Sequence, residues 1–381
     1  MATKIPKIGS RKTQAGGAAD VDGEVSGLEF DSVTRSTVVN RPATIRGEQR
    51  PATIRDVAAL AGVSHQTVHR FLQGYQRIRP QTRERVAAAL AQLDYRPNLA
   101  ARSLTTGRSL RLGALTHALS EFGPGKIIQG ASQAARDAGY VLDVVSLDMG
   151  DEREIEQALR VLQLHDLAGV LVLASTDQMS EAFASADFRV PTLQAGEEDE
   201  RVGAEPSQLS SIGIPAAMEH LAALGHRRVM YIGGPLSWSA ARNRKAAYER
   251  AVAAFGLESI AVVDGDWSAR SAYDAIRVVP DLACSAVVAG NDQMALGTML
   301  ALHDRGLRVP VDVSVVGIDD IPEAEFFAPP LTTLRVDFVA QGRRAVAQLL
   351  AEVTGAEPPQ TEALLSQLVV RRSTGPAPKS S

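Results

Sequence analysis

The sequence predicts an N-terminal all-α headpiece with helix-turn-helix spacing, followed by an α/β body of parallel sheets. Three observations carry that expectation. Two short amphipathic segments, TIRDVAALA and SHQTVHRFL, are separated by a Gly-containing turn of three to four residues. From Ser109 onward, β-type runs alternate with helical runs, and the length allows two sheets. Charge divides the same way: residues 50–111 hold eleven Arg, no Lys and three acids, net +8, whereas residues 112–381 carry net −13. A compact basic module on an acidic body points to a polyanionic partner, against the plainer reading of a solvated charged face.

Composition sets the outer limits. At roughly 150 residues per domain, 381 residues make two or three units. Hydrophobic residues at 45% and charged residues at 22% are globular proportions. No apolar run approaches the roughly 18 residues of a membrane span, and MATKIPKIGSRKTQAGG lacks the apolar stretch of a secretory signal. Cys284, in LACSAVV, has no disulfide partner. A cytoplasmic location is expected.

The hexapeptide RPATIR occurs at 41–46 and again at 50–55. Only the second copy starts a fold. Its Thr53-Ile54-Arg55-Asp56 is a T-x-x-D capping box leading into Val57, Ala58 and Leu60, whereas Thr44 is followed by Gly47 and a polar run. Residues 1–49 have neither helical nor strand period and are expected to be a disordered tail. The first helix runs from Ile54 to about Ala61 and stops at Gly62; the second starts at Ser64 with Val68, Phe71 and Leu72 on one face. A third runs from Pro80 to about Leu93. Residues 50–96 are therefore expected to bind DNA. In the major groove, the second helix would offer His65, Gln66 and Thr67 from its first turn and Arg70 one turn later. Gln can bond adenine N6 and N7 together, and Arg can fork onto guanine O6 and N7. The plainer alternative is a helical hairpin facing water. His65 and His69 stand at i and i+4, but without an intervening HExxH Glu or a third ligand no metal is expected.

Next comes YRPNLAARSL, in which Asn98 can cap a helix too short to persist alone. Together, TIRDVAALAGVSHQTVHRFLQG and TRERVAAALAQLDYRPNLAARSL resemble the LacI/GalR family of transcriptional repressors. The resemblance implies a homodimer on pseudo-palindromic operator DNA. It assigns residues 97–108 as a hinge whose helices pair in the minor groove, with Asn98, Ala101 and Arg102 at the groove and Leu104 wedged between base steps. It also implies a two-lobed, periplasmic-binding-protein-like core over 109–372, and the closing residues 373–381 are expected to be a second disordered tail. Arg79 departs from the family by replacing a frequent Ser cap before the third helix. VVRRSTGPAPKSS has no leucine heptad, so a dimer without a helical tetramer bundle is expected.

Within the body, strands are read in SLRLGALTH, VLDVVSL, LAGVLVLA, RRVMYIGG, IAVVD, SAVVAG and VSVVGID, with helices from about Gly125 to Ala138 and near 152–164. Ligands in such folds sit beyond the carboxyl ends of strands. Trp238, Arg242 and Arg244 follow RRVMYIGG; Trp267 follows IAVVD; Asn291 and Asp292 follow SAVVAG; Asp319 and Asp320 follow VSVVGI; LTTLRVDF brings Phe338. An aromatic plane beside Arg, Asn and Asp suits a sugar, although Asn291 and Asp319 as helix caps and Trp267 as core are the plainer readings. GPLS, ARxR, GDWSA, NDQMALG, GLRV, SVVG, DD, PPLTT and DF extend the family resemblance over about 53–372. It implies that Arg244, Asn291 and Asp319 hold sugar hydroxyls while Trp267 and Phe338 form an apolar wall. Compared with the member it most resembles, this chain has His117 and Glu121 for a Ser and a Leu near the pocket, Gly196 (next to Glu197) for an acidic ligand, and Ala240 for a Ser. The expected effector is a small, galactoside-like inducing sugar, with a purine or phosphorylated corepressor as the alternative. No cofactor is expected. GPGKIIQG lacks the Ser or Thr and first Gly of a phosphate loop, and no nucleophile, base and orienting group form a set, so an enzyme is not expected.

Overall fold

The structure is a computed structural model describing residues 52–72, 75, 77–95, 109–147, 152–173, 176–197, 211, 213–358 and 366–379. The expected tail 1–49 and the expected hinge, with Asn98, Ala101, Arg102 and Leu104, lie outside the described residues. The chain divides into two compact units, up to residue 96 and from residue 97.

In the first unit, helix α1 (Ile54–Ala61) begins with the anticipated reciprocal cap: Asp56 N–H donates to Thr53 Oγ1, and Thr53 N–H donates to Asp56 Oδ2 at 2.8 Å. Gly62 ends the helix at φ 63°, a left-handed conformation that costs glycine little. Helix α2 (His65–Leu72) follows at once, with Ser64 Oγ accepting from Thr67 N–H at 3.2 Å. Helix α3 (Pro80–Gln92) starts on Pro80, and Arg79 makes no side-chain cap bond there. Val57, Ala58, Ala61, Val68, Val86 and Ala89 are buried between the three helices, flanked by Phe71, Leu72, Leu90 and Leu93. So small a core leaves the polar faces of all three helices to solvent.

The second unit contains two sheets. In the four-stranded sheet, β1 (Arg111–His117), β2 (Val141–Leu147), β3 (Gly169–Val172) and β4 (Thr192–Gln194) run parallel in the order β2-β1-β3-β4. Helices α4 (Phe122–Asp137), α5 (Glu152–Leu164) and α6 (Asp177–Ala184) link these strands. The six-stranded sheet has the order β10-β9-β8-β7-β5-β6. Its β5 (Arg228–Gly233), β6 (Glu258–Asp264), β7 (Ala286–Ala289), β8 (Ser314–Asp319) and β9 (Thr332–Val336) are parallel, and only the edge strand β10 (Ser366–Val369) is antiparallel. Its helices are α7 (Gly213–Ala223), α8 (Ser239–Ala254), α9 (Ala269–Val278) and α10 (Asp292–Asp304). After β9 the chain returns to the first lobe as α11 (Phe338–Thr354), whose Ala345, Val346 and Leu349 share a core with Leu112, Ala114 and Leu171. Central strands buried on both faces, such as VLV of β3 and AVVA of β7, are the continuous apolar runs that parallel sheets require.

Two local readings change. Helix α4 begins at Phe122, three residues before the expected start, because Pro124 in the first turn gives up an N–H that would find no helical partner. GPGK is thus helix and not a loop. The disordered tail expected from residue 373 is corrected at its described part, 373–379. Ser373 is fully buried, its hydroxyl accepting from Thr332 N–H at 2.8 Å and donating to the Val315 carbonyl at 2.6 Å. Gly375 N–H donates to Ser314 Oγ, and Ala377 N–H to the Leu224 carbonyl. Backbone hydrogen bonding, which composition does not report, holds this polar segment. Among the described residues no helix is long and apolar enough to cross a membrane.

Candidate functional site

The first unit presents a basic recognition surface. His65, Gln66 and Arg70 are exposed on α2, and Thr67 is half-buried because its hydroxyl lies 2.9 Å from Ser64 Oγ. Thr67 is therefore part of the cap. Arg70 stands over the Tyr75 ring at 5.8 Å, and Arg83 donates to the Tyr75 carbonyl at 3.2 Å. Ser64, Thr67, Arg70, Tyr75, Arg77 and Arg79 line one groove, so three guanidiniums converge beside the start of α2. Sequence reading left Tyr75, Arg77 and Arg79 unassigned; the run of alternating Arg after α2 was the available signal.

In the second unit, a cavity enclosing about 690 Å³ opens where the carboxyl ends of both parallel sheets converge. Of the expected effector residues, Glu121, Trp238, Arg244, Trp267, Asn291, Asp319 and Phe338 all line it. Each lies on or just after a different element end: Glu121 precedes α4, Trp238 precedes α8, Trp267 precedes α9, Asn291 precedes α10, Asp319 ends β8 and Phe338 opens α11.

Arg244 is the electrostatic centre. Its guanidinium donates to the Gly290 carbonyl, pairs with Asp319 Oδ1 at 3.4 Å and stands 5.3 Å from the Trp267 ring. Burial raises the Asp319 carboxyl to about 7, although Arg244 opposes the shift. Behind it, fully buried Asp292 accepts from Ile321 N–H and Thr333 Oγ1, and burial followed by the Asp319 charge pushes its carboxyl upward. Asn291 does cap α10, its Oδ1 accepting from Met294 N–H at 2.8 Å while Nδ2 donates to the Trp267 carbonyl at 3.0 Å. An amide has a second proton and further lone pairs, so capping leaves it able to meet a ligand.

Backbone strain concentrates here. Trp267 has φ 72° and Asp319 φ 113°, both unusual for residues with a Cβ. Gly234 makes the Trp267 position possible, since a Cβ there would overlap the indole ring. The aromatic wall consists of Trp238 and Trp267, edge-on at 5.7 Å, with Phe122 and Phe338 edge-on at 6.2 Å.

His117 and Arg242 do not join the lining. The His117 ring is buried edge-on to Trp238 at 4.6 Å, and burial lowers its pKa to about 4. It supports the wall from behind, because the end of β1 points into the core. Arg242 instead forks onto Asp177 at 2.6 and 3.1 Å, joining α8 to α6 across the lobes. Next to it Asn243 Nδ2 donates to Glu197 Oε2 at 3.5 Å, and Trp238 forms a β-bridge with Thr176. Phe122, Gln341, Ser239 and Glu197 line the cavity without having been singled out as ligands. Gln341 stands one turn after Phe338, a spacing that signals a shared helix face. Among the described residues no cluster of three or more His, Cys, Asp or Glu could hold a metal ion.

Comparison with known proteins matches residues 53–98 to the family model "Bacterial regulatory proteins, lacI family" and residues 218–374 to "Periplasmic binding protein-like domain". The chain is 33% identical to the lactose operon repressor of Escherichia coli (strain K12) over 338 residues, covering 85% of this chain and 91% of the relative. It is 29% identical to the transcriptional repressor PurR of Haemophilus influenzae, covering 84% and 98%. Among solved structures, the lac repressor dimer bound to operator and the anti-inducer ONPF is similar at TM-score 0.75 and 32% identity, covering 86% of this chain and all of that one.

Proposed function

Because the chain belongs to the lacI family of bacterial regulatory proteins and is a DNA-binding repressor of that family, we propose that it acts as a cytoplasmic homodimer whose hold on operator DNA is set by a small sugar. One observation carries the sugar reading: the buried Arg244–Asp319 pair faces Trp238, Trp267 and Phe338 across a single cavity. Polar groups there can bond hydroxyls while the rings take the C–H face of a pyranose.

DNA recognition falls to the first unit. Gln66 and Arg70 read base edges in the major groove, Arg77 and Arg79 neutralise phosphates, and His65 meets the groove edge. Asn98, Ala101, Arg102 and Leu104 enter the minor groove when two copies pair. Dimerisation is supported by exposed Leu296 and Leu300, one turn apart on α10, and by Phe326, 79% exposed in the same lobe. Sugar bound between the lobes favours a closed body, and the Arg242–Asp177 fork and Thr176–Trp238 bridge are the cross-lobe contacts that sense closure. Coupling of about 1–3 kcal/mol between the sugar and DNA sites is enough for regulation.

A purine or phosphorylated corepressor is the competing reading, prompted by the PurR relative. The lining opposes it, since Glu121, Glu197 and Asp319 outnumber the one guanidinium. Operator binding by Gln66→Ala tests the DNA assignment. Affinity should fall by roughly tenfold to a hundredfold on the operator and little on random DNA; equal losses on both would remove Gln66 as a base reader.

A further inference from the structure

We infer that the saccharide taken by this cavity carries a protonated amine, an amino sugar in place of a neutral glycoside; the inference rests on the sugar reading of the same cavity. Three carboxylates, Glu121, Glu197 and Asp319, line the space against a single cation, Arg244. That guanidinium is already committed to Asp319 and the Gly290 carbonyl. Asp266, on the loop beside Trp267, adds a fourth acid within electrostatic reach of Glu121. Glu121 precedes α4 without bonding its N-terminus, so its half-buried carboxylate is not spent on capping.

A hydroxyl has one proton and can answer one carboxylate. An ammonium has a charge and three protons, so it can answer Glu121 and a second acid together. The four rings add to the preference, because aromatic faces attract cations. The Trp267 indole N–H is buried, 6% exposed, and has no partner; it stands ready for a ring oxygen or hydroxyl of the same ligand. A phosphorylated ligand would instead place like charge against like.

The test uses the full chain and matched sugar sets in the gluco and galacto series: the free amine, its N-acetyl form and the parent hydroxyl sugar, as monosaccharides and β-linked disaccharides. Intrinsic tryptophan emission reads binding, and release from the protein's own upstream DNA reads response. One free amine should bind at least about tenfold more tightly than both neutral partners, and the margin should collapse in Glu121→Gln. A neutral sugar binding as tightly as its amine would overturn the amine while leaving the sugar reading intact. Release by a purine or sugar phosphate, with every saccharide silent, would overturn both. Absence of binding by all amine probes at millimolar concentration would also end the proposal.

Discussion

At the scale of single residues, the cavity keeps a titrating group where ligand meets protein. The Asp319 carboxyl is held near 7 because it is buried, and Arg244 only partly offsets that cost. Sugar hydroxyls donating to this oxygen favour its ionised form, so binding expels a proton and must weaken as pH falls through about 7. Affinity measured by tryptophan emission should therefore drop by up to about tenfold per pH unit below that point, and Asp319→Asn should bind weakly with a flat profile. A profile that stays steep in Asp319→Asn would assign the titration elsewhere. Most of these residues were legible because each βα turn carries its own ligand candidate, and a strand followed by polar or aromatic residues is a local signal. His117 and Arg242 were not. Their surroundings come from Trp238 and Asp177, far away in the chain, and no periodicity reports such pairs.

Among the elements, the headpiece was the most readable part: both caps, the Gly62 turn and the Pro80 start are short-range chemistry. The start of α4 was misread because Pro124 looks like a terminator when it is in fact a first-turn residue. In the second lobe, the turn after β5 and the turn before α9 interlock through Gly234 and Trp267. Gly234→Ala should push the indole out of its seat, lowering stability by about 1–3 kcal/mol as overpacked cores do and abolishing the sugar response. Thermal unfolding and DNA release would show both effects. A response kept at full strength would mean that the Trp267 position is not needed for binding.

For the molecule as a whole, two parallel sheets meeting at their carboxyl ends create one cleft, and the alternation of strands and helices was enough to predict it. How the chain weaves between lobes was not, because α11 follows a strand of one sheet yet packs against the other. Subunit pairing also belongs to this scale. Leu300→Glu should yield monomers that still change emission with sugar but bind operator roughly 100-fold or more weakly, since one headpiece no longer raises the local concentration of the other. Sedimentation at several concentrations would check it, and an intact dimer would move the interface off α10.

The segment from Ser373 to Ala377 has a practical corollary for anyone attaching a reporter or purification handle. Its hydroxyl and amides stitch β8, β9 and the turn after α7 into one fabric. Cargo spliced at residue 372 would unpick those stitches, whereas cargo joined beyond 379 leaves the seam closed.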